Sequence, residues 1–357
     1  MKKICAVCLS VLLMITSIPV VQAIEDDNSA DFYLNEQYGY TYKQSIDESG
    51  QITRFYKKQC ASVSLSRSST TTTDSDNIAY VKSVLSDLGM GNDFIDALPK
   101  KSLDMYSDAI SITSITTYTK SDHEGKILVI DESTALSEAA ILRAPPVFPE
   151  DFGDDNGEFS SYVANCNDTY MRITYIVTEL GNGDYHHSID ATWLTMPFFR
   201  GYELIGACVE GHLIDNYSCS GWYSYDATNL LGESANTRVV FPDDDIYVLT
   251  NAATNWRASG AVYCLRSDVT VGVDIPITTV SYDNYKSHYE FKSSVTNKTS
   301  PLAFASTASY DHMTINVTLP AMNLISENSL SYIGFDVADW RVHRRHATIP
   351  EEIEYTP

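Results

Sequence analysis

Apolar side chains fall on every second position through much of the second half of the chain. In "DTYMRITYIVTEL" the positions Met171, Ile173, Tyr175 and Val177 are apolar, while Arg172, Thr174 and Thr178 lie between them. The same period runs through "SYDHMTINVTLP", where Met313, Ile315, Val317 and Leu319 alternate with His312, Thr314, Asn316 and Thr318. Successive side chains of a strand point to opposite faces, so this pattern predicts strands with one face on a core and the other toward water. "RVVF", "DIYVLTN", "GAVYCLRS", "VTVGVDI" and "SYIGFDVA" add further short strands between turn-rich segments. Strands that follow one another this closely predict an antiparallel sandwich or open barrel, not a parallel sheet with crossover helices.

The first half is patterned differently. In "YGYTYKQSIDESGQITRFYKKQ" two aromatic-rich alternating runs flank Asp47-Glu48-Ser49-Gly50, which is hairpin chemistry. The Ser/Thr-rich stretch "SVSLSRSSTTTTDSD" reads as an exposed connection. From Asp76 the period lengthens: Ile78, Val81, Leu85 and Leu88 recur at helical spacing, with a cap at Asp74 to Asp76 and a stop at Gly89. "NDFIDAL" and "KKSLDMYSDA" predict two shorter helices that need the β-structure to cover their apolar faces, and "ISITSITTYTK" predicts a strand. The fold class expected is α+β, predominantly antiparallel β and sandwich-like, with a small N-terminal helical segment. The boundaries expected are a signal peptide over 1–23, a β-hairpin segment over 24–60, a connection over 61–75, a helical segment ending in a strand over 76–120, and an antiparallel β domain over 121–357.

The signal peptide rests on Lys2 and Lys3, the apolar run Ile4 to Met14 and the small-residue ending Val21-x-Ala23. That run is shorter than the roughly 20 apolar residues of a bilayer span, so no membrane span is expected after cleavage, and the chain is expected outside the cell. Against 24 Lys and Arg stand 47 Asp and Glu, a net charge of −23. Such a surface repels phosphate backbones and anionic lipids, which disfavours nucleic-acid partners. Of the 7 cysteines, Cys60, Cys166, Cys208, Cys219 and Cys264 lie beyond the signal peptide. An odd number outside the cell leaves at least one unpaired within the chain. Cys208 and Cys219 flank a short loop and are the expected disulfide.

The most chemically suggestive stretch is "LGNGDYHHSIDATWLTM", where two adjacent histidines follow a Gly-Asn-Gly turn. On a strand His186 and His187 point to opposite faces and cannot share one metal, whose ligands lie on the same side at about 2.0–2.1 Å. His187 is expected with the apolar face, and His186 on a polar outer face with Asp184 and Ser188. "PEDFGDDNGEF" has the acidic, glycine-containing composition of a calcium loop, with Asp151, Asp154, Asp155, Asn156 and Glu158 as ligands, although its spacing is not that of an EF-hand. "PDDDI" is a weaker case. No other cofactor is expected. Trp222, Tyr223 and Tyr225 in "GWYSYD" offer a stacking platform for a ligand such as a sugar, in a chain of 24 tyrosines and 4 tryptophans. "WRVHRRHA" is the one basic cluster, best used by internal pairing with the acidic tail Glu351, Glu352 and Glu354. The serine-hydrolase elbow, the zinc-protease histidine motif and the phosphate-binding glycine loop are absent from the sequence.

The blocks "YVKSVLSDLGMGNDFIDALPKKSLDMYSDAISITSITTYTK", "ATWLTMPFFRGYELIGACV", "SHYEFKSSVT" and "STASYDHMTINVTLP" together resemble uncharacterised secreted proteins of Gram-positive, gut-type bacteria. The resemblance implies secretion from such a cell and brings no activity, cofactor or functional residue. The function expected is a non-catalytic secreted or cell-surface-associated binding protein with a glycan or protein ligand. The alternative is a secreted hydrolase of glycans or peptides, which needs only two suitably placed carboxylates.

Overall fold

The computed structural model describes residues 31–58, 74–121, 126–143, 169–195, 201–229, 234–251, 254–264, 279–313, 321–327, 330–336 and 342–356. Three strands, β1 (Asp31–Asn35), β2 (Tyr40–Ile46) and β3 (Ile52–Lys57), precede helices α1 (Asp74–Asp87), α2 (Asn92–Ala97) and α3 (Lys100–Asp108). Then come β4 (Ser111–Ser121), β5 (Ile127–Ile130), α4 (Glu132–Arg143), β6 (Thr169–Gly181), β7 (Asp184–Trp193) and β8 (Tyr202–Glu210). They are followed by β9 (His212–Asn229), β10 (Ser234–Val240), β11 (Ile246–Asn251), β12 (Trp256–Cys264) and β13 (Thr279–Val295). The last four strands are β14 (Leu302–Met313), β15 (Met322–Glu327), β16 (Leu330–Phe335) and β17 (Val342–Tyr355).

Every strand pair among the described residues is antiparallel. One sheet has ten strands in the order β1-β2-β3-β4-β6-β7-β13-β9-β10, with β5 beside β4; a second has the order β11-β12-β8-β14-β17. The two face each other across a core that takes Ile173, Tyr175, Ile189 and Phe291 from the first and Ile205, Val209, Phe304 and Ile349 from the second. The hairpin β15–β16 covers the far side of the smaller sheet through Ile333 and Phe335. Helices α1, α2 and α3 cover the far side of the larger one through Val81, Leu85, Leu88, Phe94 and Leu103. The sandwich of the sequence reading is present, with a helical layer added. Among the described residues no helix is long and apolar enough to cross a membrane.

The N-terminal hairpin joins the main sheet: β3 pairs along β4 from Ile52 with Thr116 to Lys57 with Ser111. β9 has 18 residues and β13 has 17, and their pairing absorbs register shifts as bulges. This pairing brings backbones together at Gly221, where a β-carbon would lie 2.3 Å from the carbonyl oxygen of His288 and 2.8 Å from the Phe241 ring.

The expected bridge between Cys208 and Cys219 is not formed; both are free thiols. Ala207 and Val209 face the inter-sheet core, so Cys208 faces the other way, toward Trp256 and Ile333. Cys219 packs on the inter-sheet side, 3.2 Å from the Ser259 hydroxyl. The smaller sheet stands between the two sulfurs. Nearness in sequence does not bring β-carbons face to face.

Candidate functional site

Strand β7 follows the Gly181-Asn182-Gly183 turn, whose three residues all have positive φ, and lies between β6 and β13 in the larger sheet. Its even positions face the helical layer. Asp190 is paired with His288 and Ser188 with Glu290 on β13, which brings four ionisable groups onto one patch: His186, Asp190, His288 and Glu290. Nδ1 of His288 is 2.7 Å from Oδ1 of Asp190, and Nε2 of His186 is 3.1 Å from Oε2 of Glu290. The other oxygen of Glu290 accepts from Ser102 of α3 at 2.8 Å and from Ser220 of β9 at 3.2 Å.

Water does not reach this patch. The four ionisable groups are between 1 and 6 % exposed. Phe94 of α2 and Trp222 of β9 stack together with ring centroids 5.4 Å apart, and the Trp222 ring lies 5.7 Å from that of His288. Tyr106 of α3 meets His186 edge-on at 5.2 Å. The expectation of an outer face carrying His186 with Asp184 and Ser188 is therefore corrected for His186 and Ser188, which helices cover, while Asp184 stays partly exposed. Dehydration by itself disfavours charge on any of these groups. Burial pulls His288 down, yet Asp190 and Glu290 outweigh it and raise its pKa to about 9. Burial likewise pushes Glu290 up, and the two histidines outweigh that and hold it well below the usual carboxylate range. The cluster is thus a buried set of acid and base side chains that ties α3 to the sheet through Ser102. Oδ2 of Asp190, Nε2 of His288 and Oγ of Ser188 are buried without a hydrogen-bond partner.

His187 is on the opposite face, as the alternation requires. Its ring nitrogens lie 2.8 Å from the Tyr175 and Ser293 hydroxyls, and Ser293 in turn lies 2.8 Å from Nδ1 of His212. Burial pushes both imidazoles down, His212 to about 3, so they are neutral core residues. Among the described residues no three His, Cys, Asp or Glu side chains are grouped to hold a metal ion.

The three aromatic residues of the proposed platform point to different faces of β9. Trp222 is buried beneath the helical layer, where the Arg238 guanidinium sits 4.4 Å above its ring. Tyr223 and Tyr225 face the inter-sheet core, where Tyr223 stacks on Tyr263 and Tyr225 lies tilted against Tyr285. The calcium candidates Asp151, Asp154, Asp155, Asn156 and Glu158 lie outside the described residues; the weaker acidic run forms a short exposed turn over Asp243–Asp245. Of the basic cluster, Arg345 is buried against the Thr119 and Ser121 hydroxyls and over the Trp193 ring. Arg344 lies 3.5 Å from Asp311. Their partners are internal, but they come from β4, β7 and β14.

His288 and Glu290 were missed as site residues. "KSHYEFK" places Lys286, His288, Glu290 and Lys292 on one face, a signal present in the sequence, but the strand that lies beside them could not be read from it.

No family model matches this chain, and no curated protein matches it. Among solved structures it is similar to the collagen-binding domain from a Staphylococcus aureus adhesin, with 7% identity and a TM-score of 0.18 over 46% of this chain and 87% of that one. It is also similar to a structure described as manganese lipoxygenase of Gaeumannomyces graminis with partial zonadhesin of Komagataella pastoris. That match has 7% identity and a TM-score of 0.21 over 92% of this chain and 81% of that one. Likenesses at this level assign neither a ligand nor an activity.

Proposed function

We propose that this chain is a non-catalytic binding protein, secreted from the cell or held at its surface, with a glycan or protein as ligand. One observation carries the reading. A group of acid and base side chains, His186, Asp190, His288 and Glu290, is enclosed between sheet and helices and spent on its own internal pairing. A general acid or base must come within hydrogen-bond reach of a substrate, and these groups have protein on every side. The signal-peptide pattern and the net charge of −23 agree with an extracellular setting.

Glycan-array and pull-down screening of residues 24–357, run beside turnover assays on glycans and peptides, tests the proposal. Binding without turnover is the expected result. Reproducible turnover that Glu290→Gln abolishes while the fold is kept would establish the hydrolase reading instead. Repeating the screen with calcium and with a chelator tests the loop from Asp151 to Glu158. Recovery from culture medium of a chain beginning at Ile24 tests secretion.

A further inference from the structure

The larger sheet is wider than the sheet that faces it. The smaller sheet ends at β17, which packs against β4, β5 and β6, whereas β3, β2 and β1 continue the larger sheet beyond β4. Register fixes which way their side chains turn. Tyr33, Tyr40, Tyr42 and Tyr56 turn toward the helices: Tyr33 stacks on Tyr42, and Tyr40 and Tyr56 belong to the core beneath α1. The residues between them turn the other way. Phe32, Lys43, Phe55 and Thr113 are register partners in one row across β1, β2, β3 and β4, and Thr113 is paired with Val177 of the inter-sheet core. The row thus starts at the rim of the sandwich core and runs outward over an open face, a span of about 14 Å at three strand spacings.

What this face carries is unusual for the chain. Phe32 is 69 % exposed and Leu34 61 %; Thr41, Lys43 and Lys57 are exposed, and Ser45, Thr53 and Phe55 are half-buried. Nζ of Lys43 lies 5.1 Å from the centre of the Phe32 ring. Neither Lys43 nor Lys57 forms an ion pair among the described residues. The strand positions of β1, β2 and β3 on this face hold two lysines and no Asp or Glu, in a chain of 47 acidic residues against 24 basic ones. Asp31 turns to the helical side with Tyr33. Glu36, Asp47 and Glu48 lie in the turns at the strand ends. Glu179 of β6, in the row of Lys57, accepts from the Ser111 hydroxyl at 2.7 Å.

A lysine between two aromatic rings, bordered by hydroxyls, matches a ligand that combines apolar C–H faces, hydroxyls and acid groups. The negative ring faces of Phe32 and Phe55 attract sugar C–H groups. The hydroxyls of Thr41, Ser45 and Thr53 both donate and accept. The lysines supply the positive charge, and the net charge of −23 repels an anion from most of the remaining surface, which directs an anionic ligand to this face. An acidic peptide would meet the lysines but leave the row of rings and hydroxyls largely unused. We infer that the open face of β1, β2 and β3 binds an acidic polysaccharide, with sugar rings on Phe32 and Phe55 and uronate or sulfate groups on Lys43 and Lys57. The inference rests on the binding reading above and names its ligand class; it moves the contact surface from the buried Trp222, Tyr223 and Tyr225 to an exposed face.

The experiment is isothermal titration of residues 24–357 with oligogalacturonate, dextran sulfate, neutral dextran and poly-glutamate at matched ionic strength. Saturable binding of at least one acidic glycan is expected, weakening as sodium chloride rises, with no response to dextran or poly-glutamate. The stronger acidic arm tells uronate from sulfate. Phe32→Ser and Lys43→Gln should each weaken binding at least fivefold, whereas Tyr217→Ser, at an exposed tyrosine of β9, should leave it unchanged. Should a variant fail to fold, acetylation of the unaltered chain read by mass spectrometry decides: the acidic glycan must shield Lys43 and Lys57 and leave the exposed Lys101 of α3 reactive. No response to either acidic glycan, equal binding of dextran or poly-glutamate, unshielded Lys43 and Lys57, or full binding by both variants overturns the site. Acidic-glycan binding through Lys43 together with cleavage of that glycan would keep the site and remove the non-catalytic reading; capture of another ligand by a chain that ignores acidic glycans would do the reverse.

Discussion

Nδ1 of His288 lies 2.7 Å from Oδ1 of Asp190 across the pairing of β7 with β13, and both side chains are buried beneath the helical layer. Asp190 and Glu290 raise the imidazole to about 9 against the pull of burial, while an unfolded histidine titrates near ~6.5. The folded chain thus holds the proton more tightly. Stability from this group is full below about pH 6.5 and fades as pH rises through about 9, by on the order of 3 kcal/mol. Thermal melts between pH 6 and 10 should show that decline in the unaltered chain and a flatter profile in His288→Gln. Parallel profiles would show that His288 carries no proton into the fold.

Glu290 joins three elements at once, through His186 on β7, Ser102 on α3 and Ser220 on β9. Removing the carboxylate takes away a partner that helps keep the buried His288 protonated, and breaking a buried pair this way costs about 3–5 kcal/mol. Glu290→Ala should lower the denaturation midpoint accordingly and speed amide exchange across residues 92–108. Exchange there at the original rate would mean that the cluster does not hold the helices.

Gly221 permits the close approach of β9 to β13. In Gly221→Ala the added carbon meets the His288 carbonyl at 2.3 Å and the Phe241 ring at 2.8 Å, so backbone must move. The expected loss is about 1–3 kcal/mol by urea denaturation, the usual cost of overpacking. An unchanged midpoint would place the strands farther apart than described.

Burial pushes both thiols up, but Cys208 is fully buried whereas Cys219 is partly exposed. Alkylation of the folded chain should therefore label Cys219 well before Cys208, because reactivity also needs access to the sulfur. Peptide mapping without reductant should yield no peptide joining the two. Finding that linked peptide would refute the assignment of Cys208 to the outer face of the smaller sheet.

Much of this fold can be read directly from the residues. Ile78, Val81, Leu85 and Leu88 mark α1, Pro99 separates α2 from α3, and the alternation in "DTYMRITYIVTEL" marks β6. Helix α4 escapes such reading. Its Leu136 and Ile141 are exposed in the structure, so no clean apolar stripe advertises it.

From the order of residues alone it follows that His186 and His187 look in opposite directions, because a strand alternates its side chains whatever surrounds it. That order also establishes that the second half is built of strands, since period-2 patterning is a local property. It does not reveal what covers a polar face. The partner of Asp190 is 98 residues away along the chain, and α3 reaches Glu290 from 188 residues away. Those contacts come from strand order and register across the whole sheet, and they convert a row of apparently wet residues into a buried charge cluster.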